Sequence, residues 1–544
     1  MGDIFKPFEV EEQLSDIDIC LNSNPCWAAA IILGFQHYVV MLGTTVIIPS
    51  IIVPLMGGGH KEKAEVIQTS LFVAGLNTLL QSWFGSRLPV VIGSSYSFIA
   101  PALFIVLSDR YSVYIDPQER FENSMRALQG ALMIASIIPI LLGFFGIWRI
   151  IVRWDFEESY IALLTPLSAV PLVTLVGLGL YAHGFPQLAE CIEIGLPELI
   201  ILLILSQYIP HWIETKKGGV FERFFERYAV LLSIAIVWPF AALLTASGAY
   251  NNKSPSTQIS CRVDRSGLIS GAAWVSFPYP WQWGTPSADG AGDAFVMIAA
   301  ALVALIESTG AFIAAARFAR ATPPPPSIIG RGAGWLVASD PGVGLLLDGL
   351  FGTASGSTVS VENVGLLALT RSGSRRVIQI SAGFMLFFAI FGKFGAVLAS
   401  IPLPIFGAVY CILFAYMASA GIGLLQFCNL NRLRTKFVVA YSIFMGLSIT
   451  QYFYGYIVTS GHGPVHTNAH WFNTIVEIIF TSPATVAVLI AVFLDCTIRT
   501  SRTDSGIFDN GRHWWERFRD FEKHPMSREF YYLPSGLTKY FPSV

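Results

Sequence analysis

Charge is scarce in this chain. Of 544 residues, 34 are Lys or Arg and 36 are Asp or Glu, 13% in all, for a formal net charge of −2. A soluble domain usually carries about 25% charge, so charge this sparse does not cover a water-facing surface of this size. The near-neutral balance also argues against a nucleic-acid partner, which needs a basic face. Cysteine is scarce too. The seven residues Cys20, Cys26, Cys191, Cys261, Cys411, Cys428 and Cys496 show no CxxC spacing. Neither a zinc site nor a disulfide framework is expected from them. The opening MGDIFKPFEVEEQL is polar and acidic and lacks the basic and apolar stretches of a cleavable signal peptide. No phosphate loop, nucleophile elbow or metal-ligand cluster occurs. Hence no catalytic residue, metal or cofactor is expected, and the chain does not read as an enzyme.

What is present is apolar. Hydrophobic residues make up 53% of the chain and the mean hydropathy is +0.59. They fall in runs near the length that crosses a bilayer as helix, about 20 residues. The runs predict about fourteen spans, at 27–54, 66–84, 88–108, 127–148, 162–182, 195–210, 229–249, 293–316, 334–350, 355–371, 377–398, 402–425, 434–455 and 474–496. Alternate loops carry most of the Lys and Arg, among them Arg87, Arg149, Arg153, Lys216, Lys217, Arg331, Arg375 and Arg376. The positive-inside rule then puts both termini in the cytoplasm. The chain divides into a cytoplasmic segment (1–26), seven spans (27–249), an outer loop (250–292), seven more spans (293–496) and a cytoplasmic tail (497–544). The outer loop holds the sequon Asn252-Lys253-Ser254. The run Pro323 to Pro326 reads as a stiff connector. The aromatic-rich tail is expected to lie along the inner membrane face. An odd number of spans per half turns the second half upside down relative to the first, the layout of an inverted repeat.

Two spans are interrupted, the third of each half. Gly93, Ser94, Ser95, Ser97 and Pro101 break the first; Gly352, Ser355, Gly356, Ser357, Thr358 and Ser360 break the second. Matched interruptions are the best sequence pointer to a mid-membrane binding site. Both contain β-favouring stretches, so short paired strands continuing into half-helices are expected there. Glu307 and Glu362 are ionisable residues in apolar surroundings, where a charge costs at least about 2.5 kcal/mol, and are read as functional. Two carboxylates lining one cavity repel each other. Sharing a proton between them couples proton binding to solute binding, with Glu307 the proton-coupling candidate. Asn363 adds amide donors and an acceptor beside Glu362. Tyr96 offers an aromatic face for a planar ligand. Gln36 and His37, a polar pair in span one, are read as a brace for the broken segments, and Asp348 as a cap or brace. Lys393 is expected to snorkel at an outer helix end.

These residues resemble the nucleobase–ascorbate transporter family (nucleobase:cation symporter type 2) over almost the whole chain. Gln36-His37 in GFQHYVVMLG matches the family's span-one motif, and GSSYSF its span-three motif. Glu362-Asn363-Val364-Gly365 with Thr370 and Gly373 matches its span-ten signature. The stretch following Glu362 and the Pro323–Pro326 loop resemble the plant branch. The resemblance implies an all-α polytopic fold of 7+7 inverted spans with core and gate domains, a homodimer scaffolded through the gates, and elevator-type movement of the core. It implies proton-coupled import of nucleobases such as xanthine, uric acid or uracil across the plasma membrane. Glu307 and Glu362 resemble the positions that grip the base, Tyr96 the stacking position, Ser95 a backbone contact, Asn363 the signature amide and His37 its support. The sequence departs from many members at Glu362, where an amide is common, and at Ala311, where Asp or His is common. Ascorbate is the alternative substrate, and an anion exchanger or channel, or a non-transporting nucleobase receptor, the alternative of another class.

Overall fold

The computed structural model describes residues 10–153, 164–214, 220–264, 267–288, 290–337, 343–498, 510–533 and 538. Among them, eight helices are long and apolar enough to cross a membrane: Trp27–Met56, Pro117–Gly143, Pro166–Ala189, Ile192–Trp212, Arg223–Ala246, Ala291–Phe318, Leu403–Phe427 and Leu433–Ser460. Two bent pairs, Arg375–Ile390 with Gly392–Leu398 (113°) and His470–Phe480 with Pro483–Thr497 (78°), bring the number to ten if each pair is one span. The chain is therefore a multi-pass helical membrane protein. The other four expected spans have a different character. The helix His60–Trp83 is apolar only in part, because Gln68, Asn77 and Gln81 are buried along it. Expected spans 88–108 and 355–371 are strand-and-half-helix segments. Span 334–350 falls partly outside the described residues.

The elements that build the interior follow from local chemistry. Helix α1 (Trp27–Met56) is buried over most of its length. Strand β1 (Ile92–Ser94) leads through a tight turn, Tyr96–Phe98, into half-helix α2 (Ile99–Val106). Helix α3 (Ala291–Phe318) carries small residues that let neighbours approach closely. Strand β2 (Ser357–Val359) leads into half-helix α4 (Val361–Leu369). Ser360 caps α4, its side chain accepting the backbone N–H of Asn363. Helix α5 (Pro483–Thr497) starts after a bend because Pro483 cannot continue the preceding helix and suits a first helical position.

Strands β1 and β2 pair antiparallel, Ile92 opposite Val359, Gly93 opposite Thr358 and Ser94 opposite Ser357. The ladder is extended by Ser95 N–H to Gly356 O (3.1 Å) and Ser360 N–H to Val91 O (2.9 Å). Backbone that leaves the helix inside a membrane must find partners in the protein, and each broken segment supplies them to the other. Two packed groups surround this junction. One contains α1, His60–Trp83, Pro117–Phe144, α3 and Arg375–Ile390; the other contains Pro166–Leu178, Leu403–Gly423, Leu433–Ser460 and α5. Half-helix α4 packs across from the first group onto Leu403–Gly423. Gly365 makes this crossing possible: a Cβ there would lie 2.1 Å from the carbonyl oxygen of Leu413.

The reading of the cysteines needs correction. Cys191 and Cys261 form a disulfide across 70 residues of sequence. It fastens the loop 250–292 to the segment before the helix Ile192–Leu203. The further end of that loop packs on the first group: Trp281 N–H donates to Leu350 O (2.8 Å), and Arg126 Nε to Trp283 O (2.7 Å). No spacing motif marks a pair so far apart. Closing a loop of this length is worth roughly 2–5 kcal/mol. Cys191→Ser is therefore expected to lower the thermal unfolding midpoint of the purified protein, and reductant is expected to reproduce the change in the wild type. An unchanged midpoint in both would remove the loop from the stability of the fold.

The tail is also more firmly docked than an interfacial segment. Phe518, Phe521 and Tyr531 are buried in the protein. The Tyr531 hydroxyl donates to Thr322 O (2.6 Å), and Trp515 and Phe518 line a groove with Pro323–Pro326. Lys393 reaches the loop 250–292, its Nζ donating to Ile269 O.

Candidate functional site

A cavity of about 260 Å³ lies against the β1–β2 junction. Its walls come from five places in the sequence: Thr44 on α1, Ser94–Ser97 after β1, Glu307 on α3, Thr358–Glu362 around the start of α4, and Thr481–Pro483 at the last bend. His183, Gln451 and Tyr454 complete it from the second packed group. The first turns of α2 and α4 both border the cavity, and helix starts carry positive partial charge.

The two carboxylates occupy it together. Glu362 is 3% exposed. Its Oε1 accepts from the Thr44 hydroxyl at 2.9 Å, and the same hydroxyl lies 3.1 Å from Met41 O. Glu307 is held at both oxygens: Ser97 Oγ donates to Oε2 at 2.6 Å and Ser482 Oγ to Oε1 at 2.7 Å. Ala311, one turn along α3, is buried and apolar, and Glu307 takes its side-chain hydrogen bonds from Ser97 and Ser482.

Asn363 is 1% exposed and fixed from two sides. Its Oδ1 lies 2.8 Å from His37 Nδ1, and its Nδ2 donates to Ser360 Oγ at 2.7 Å. His37 thus supports α4 directly. Gln36 does not: its Nε2 donates to Arg227 O at 3.2 Å, on the helix beyond α1, away from the broken segments. Consecutive residues on a helix point about 100° apart, so one member of the pair faces the junction and the other does not. Asp348 braces β2, accepting from Ser357 Oγ (2.9 Å) and Thr353 Oγ1 (3.3 Å). Ser95 takes part through its backbone, and its Oγ accepts the Ser97 N–H at 3.3 Å.

Tyr96 lines the cavity with its ring stacked on His183, centroids 3.8 Å apart and planes 14° apart. His183, Ser482 and Thr44 are site residues that the sequence reading passed over. Ser482 had a signal, the Ser-Pro break in the last span. His183 had none, because it stands in a short turn, Tyr181–His183, far from either motif.

Residues 28–455 match the Permease family, Xan_ur_permease. Nucleobase-ascorbate transporter 4 of Arabidopsis thaliana is 60% identical over 99% of each chain. This chain belongs to the nucleobase–ascorbate transporter family. It is a transporter and not an enzyme, and its relatives place it in the plant branch. The Zea mays nucleobase-ascorbate transporter LPE1 is 54% identical over 98% of each chain. Among solved structures, the overall structure of SLC26A9 aligns with a TM-score of 0.44 at 12% identity, over 89% of this transporter and 69% of that chain.

The lining of the transporter's cavity contains two carboxylates, several hydroxyls, one amide, three tyrosine rings and the His183 imidazole, with no Lys or Arg among the described residues. Small-molecule sites range over roughly 300–1,000 Å³, so a volume just below that range suits a small ligand of one or two rings.

Proposed function

We propose that this chain is a proton-coupled symporter that imports nucleobases such as xanthine, uric acid or uracil. The observation that carries this reading is the pairing of Glu307 and Glu362 in one cavity with the Tyr96 ring and without a cationic side chain. A flat base presents ring N–H groups to carboxylates and a face to Tyr96. Ascorbate is an anion, and two acids without a Lys or Arg repel it. The same lining disfavours an anion exchanger, which wants a cationic residue at the ion.

Glu307 carries the coupled proton. The halves 27–249 and 293–496 form a 7+7 inverted repeat, with the first packed group acting as the core and the second as the gate. The cavity lies between them, and Ser482–Glu307 and His183–Tyr96 join one group to the other. Elevator movement of the core breaks both contacts and carries the site across the membrane. Arg223–Ala246 and Leu433–Ser460, 33% and 28% buried within the chain, are among the least covered helices, which suits them to lipid and to a second copy in a homodimer. The protein resides in the plasma membrane with both termini in the cytoplasm.

The test is uptake of radiolabelled xanthine, uracil and ascorbate into cells lacking their own carriers. Outside pH is set acidic or neutral, with and without a protonophore. The expected result is base uptake that is faster at acidic pH and collapses with the protonophore, with no ascorbate uptake. Ascorbate uptake that matches base uptake overturns the reading, and base binding without uptake supports a receptor instead.

His183 adds a second expectation. A base that stacks on Tyr96 must displace the imidazole, and an aromatic pair is worth roughly 0.5–1.5 kcal/mol. His183→Ala is expected to lower the KM for xanthine by roughly 2- to 10-fold and to admit bases with bulkier ring substituents. Competition by a series of substituted bases reads both effects. An unchanged series would place the base away from this face of Tyr96.

A further inference from the structure

Four arginines, Arg87, Arg331, Arg375 and Arg376, converge at one end of the first packed group. A groove of about 890 Å³ opens beside them, and Arg87, Arg375 and Arg376 line it together with Gln379, Trp27 and Trp83. Their hydrogen bonds go to carbonyls. Arg375 donates to Arg87 O (2.8 Å) and Phe530 O (3.1 Å), Arg331 to Gly85 O (2.7 Å) and Tyr531 O (2.9 Å), and Arg87 to Tyr532 O. Arg376 lies over the Trp27 ring, 3.8 Å from its centroid. Among the described residues none of the four makes an ion pair. The acid on the groove wall, Glu529, accepts from Asn22 Nδ2 at 3.0 Å. Arg331 is buried and repelled by both Arg87 and Arg375. Arg87 Nε and Arg331 Nη1 are buried without a partner. Arg87 is also held at φ 58°, a conformation that costs a non-glycine residue on the order of 1–3 kcal/mol.

Carbonyl dipoles satisfy guanidinium donors but do not cancel their charge, so the cluster is electrostatically incomplete. Leu79, Ile380 and the indoles of Trp27 and Trp83 also line the groove, and both indoles are exposed. Such rings sit at the headgroup level of a bilayer. The helix Arg375–Ile390 also starts at this groove, and helix starts favour phosphate oxygens. Guanidinium forks match phosphate geometry. We propose that this groove binds the phosphate-bearing headgroup of an anionic lipid of the inner leaflet. Arg87, Arg375 and Arg376 hold the phosphate, and the acyl chains lie along Trp27 and Trp83. The assignment to the inner leaflet rests on the orientation proposed above.

The test uses purified full-length protein in detergent, where neither orientation nor transport enters the readout. Thermal unfolding is followed with a short-chain phosphatidylinositol phosphate, with phosphatidylcholine of the same chain length, and with inorganic phosphate. The expected result is a saturable rise in midpoint with the anionic lipid alone. Arg376→Gln, which touches only the Trp27 face, is expected to raise the half-saturating concentration about fivefold, and Arg376→Glu to abolish the rise. An equal rise with phosphatidylcholine, or unchanged curves for both variants, overturns the site. The same rise with inorganic phosphate at equal concentration overturns the lipid assignment.

Discussion

Glu362→Ala is expected to cut nucleobase uptake by roughly 10- to 150-fold through a higher KM. A hydrogen bond to a charged group is worth roughly 1.5–3 kcal/mol, and each 1.4 kcal/mol is tenfold. The truncation should be clean. Thr44, which donates to Glu362 Oε1, keeps Met41 O within reach at 3.1 Å, so no orphaned donor is left to unsettle α1. The His37–Asn363 contact does not involve the carboxylate, and Ser360, whose side chain also bonds the carboxylate, keeps Asn363 N–H and Nδ2 as partners. Surface expression should therefore remain at the wild-type level, and initial uptake rates over a range of xanthine concentrations separate KM from maximal rate. Glu362→Gln, which keeps one acceptor and adds a donor, is expected to change the order of preference among bases more than the overall rate.

Glu307→Gln is expected to uncouple transport from the proton. Both oxygens of Glu307 accept from serine hydroxyls, and a glutamine keeps two polar atoms of the same shape, with hydroxyls able to donate or accept. The geometry is retained and the titratable group is lost. Each unit of pH difference across the membrane is worth about 1.4 kcal/mol, or tenfold in accumulation. The variant is expected to lose accumulation above the outside concentration and to lose the difference between acidic and neutral medium, while base exchange under equal concentrations continues. Exchange lost together with accumulation would instead make Glu307 a pure binding residue. Accumulation that keeps its pH dependence would move the coupling elsewhere, with Glu362 the next candidate.

The parts of this molecule legible in the sequence are those whose signal is local. Gly, Ser and Thr packed into otherwise apolar runs mark 88–108 and 355–371, because helix propensity and hydropathy fall together there. The same segments hold β1 and β2. Glu307 and Glu362 stand out because carboxylates are costly in apolar surroundings, and both line the same cavity. Features set by packing were not legible. His183 meets Tyr96 only because Pro166–Leu178 and its following turn pack across the cavity. Cys191 and Cys261 are joined across 70 residues with no spacing rule to show it. Gln36 and His37 are adjacent in sequence, but adjacency on a helix separates side chains onto different faces, and the two meet different partners. The expected span 66–84 falls in the helix His60–Trp83, whose amides Gln68, Asn77 and Gln81 are buried in the protein. Ser482 was within reach: a Ser-Pro step inside the last apolar run predicts a capped restart of the helix, and that restart is where the hydroxyl meets Glu307.

The central claim is that Glu307, Glu362 and Tyr96 form a nucleobase site that rejects anions. Equilibrium binding of radiolabelled xanthine to purified wild-type protein and to Glu362→Ala, with ascorbate as competitor, tests it without any assumption about coupling or orientation. The account predicts saturable xanthine binding by the wild type, at least tenfold weaker binding by the variant, and no displacement by ascorbate. Displacement by ascorbate as effective as by unlabelled xanthine, or equal binding by the two proteins, would contradict it.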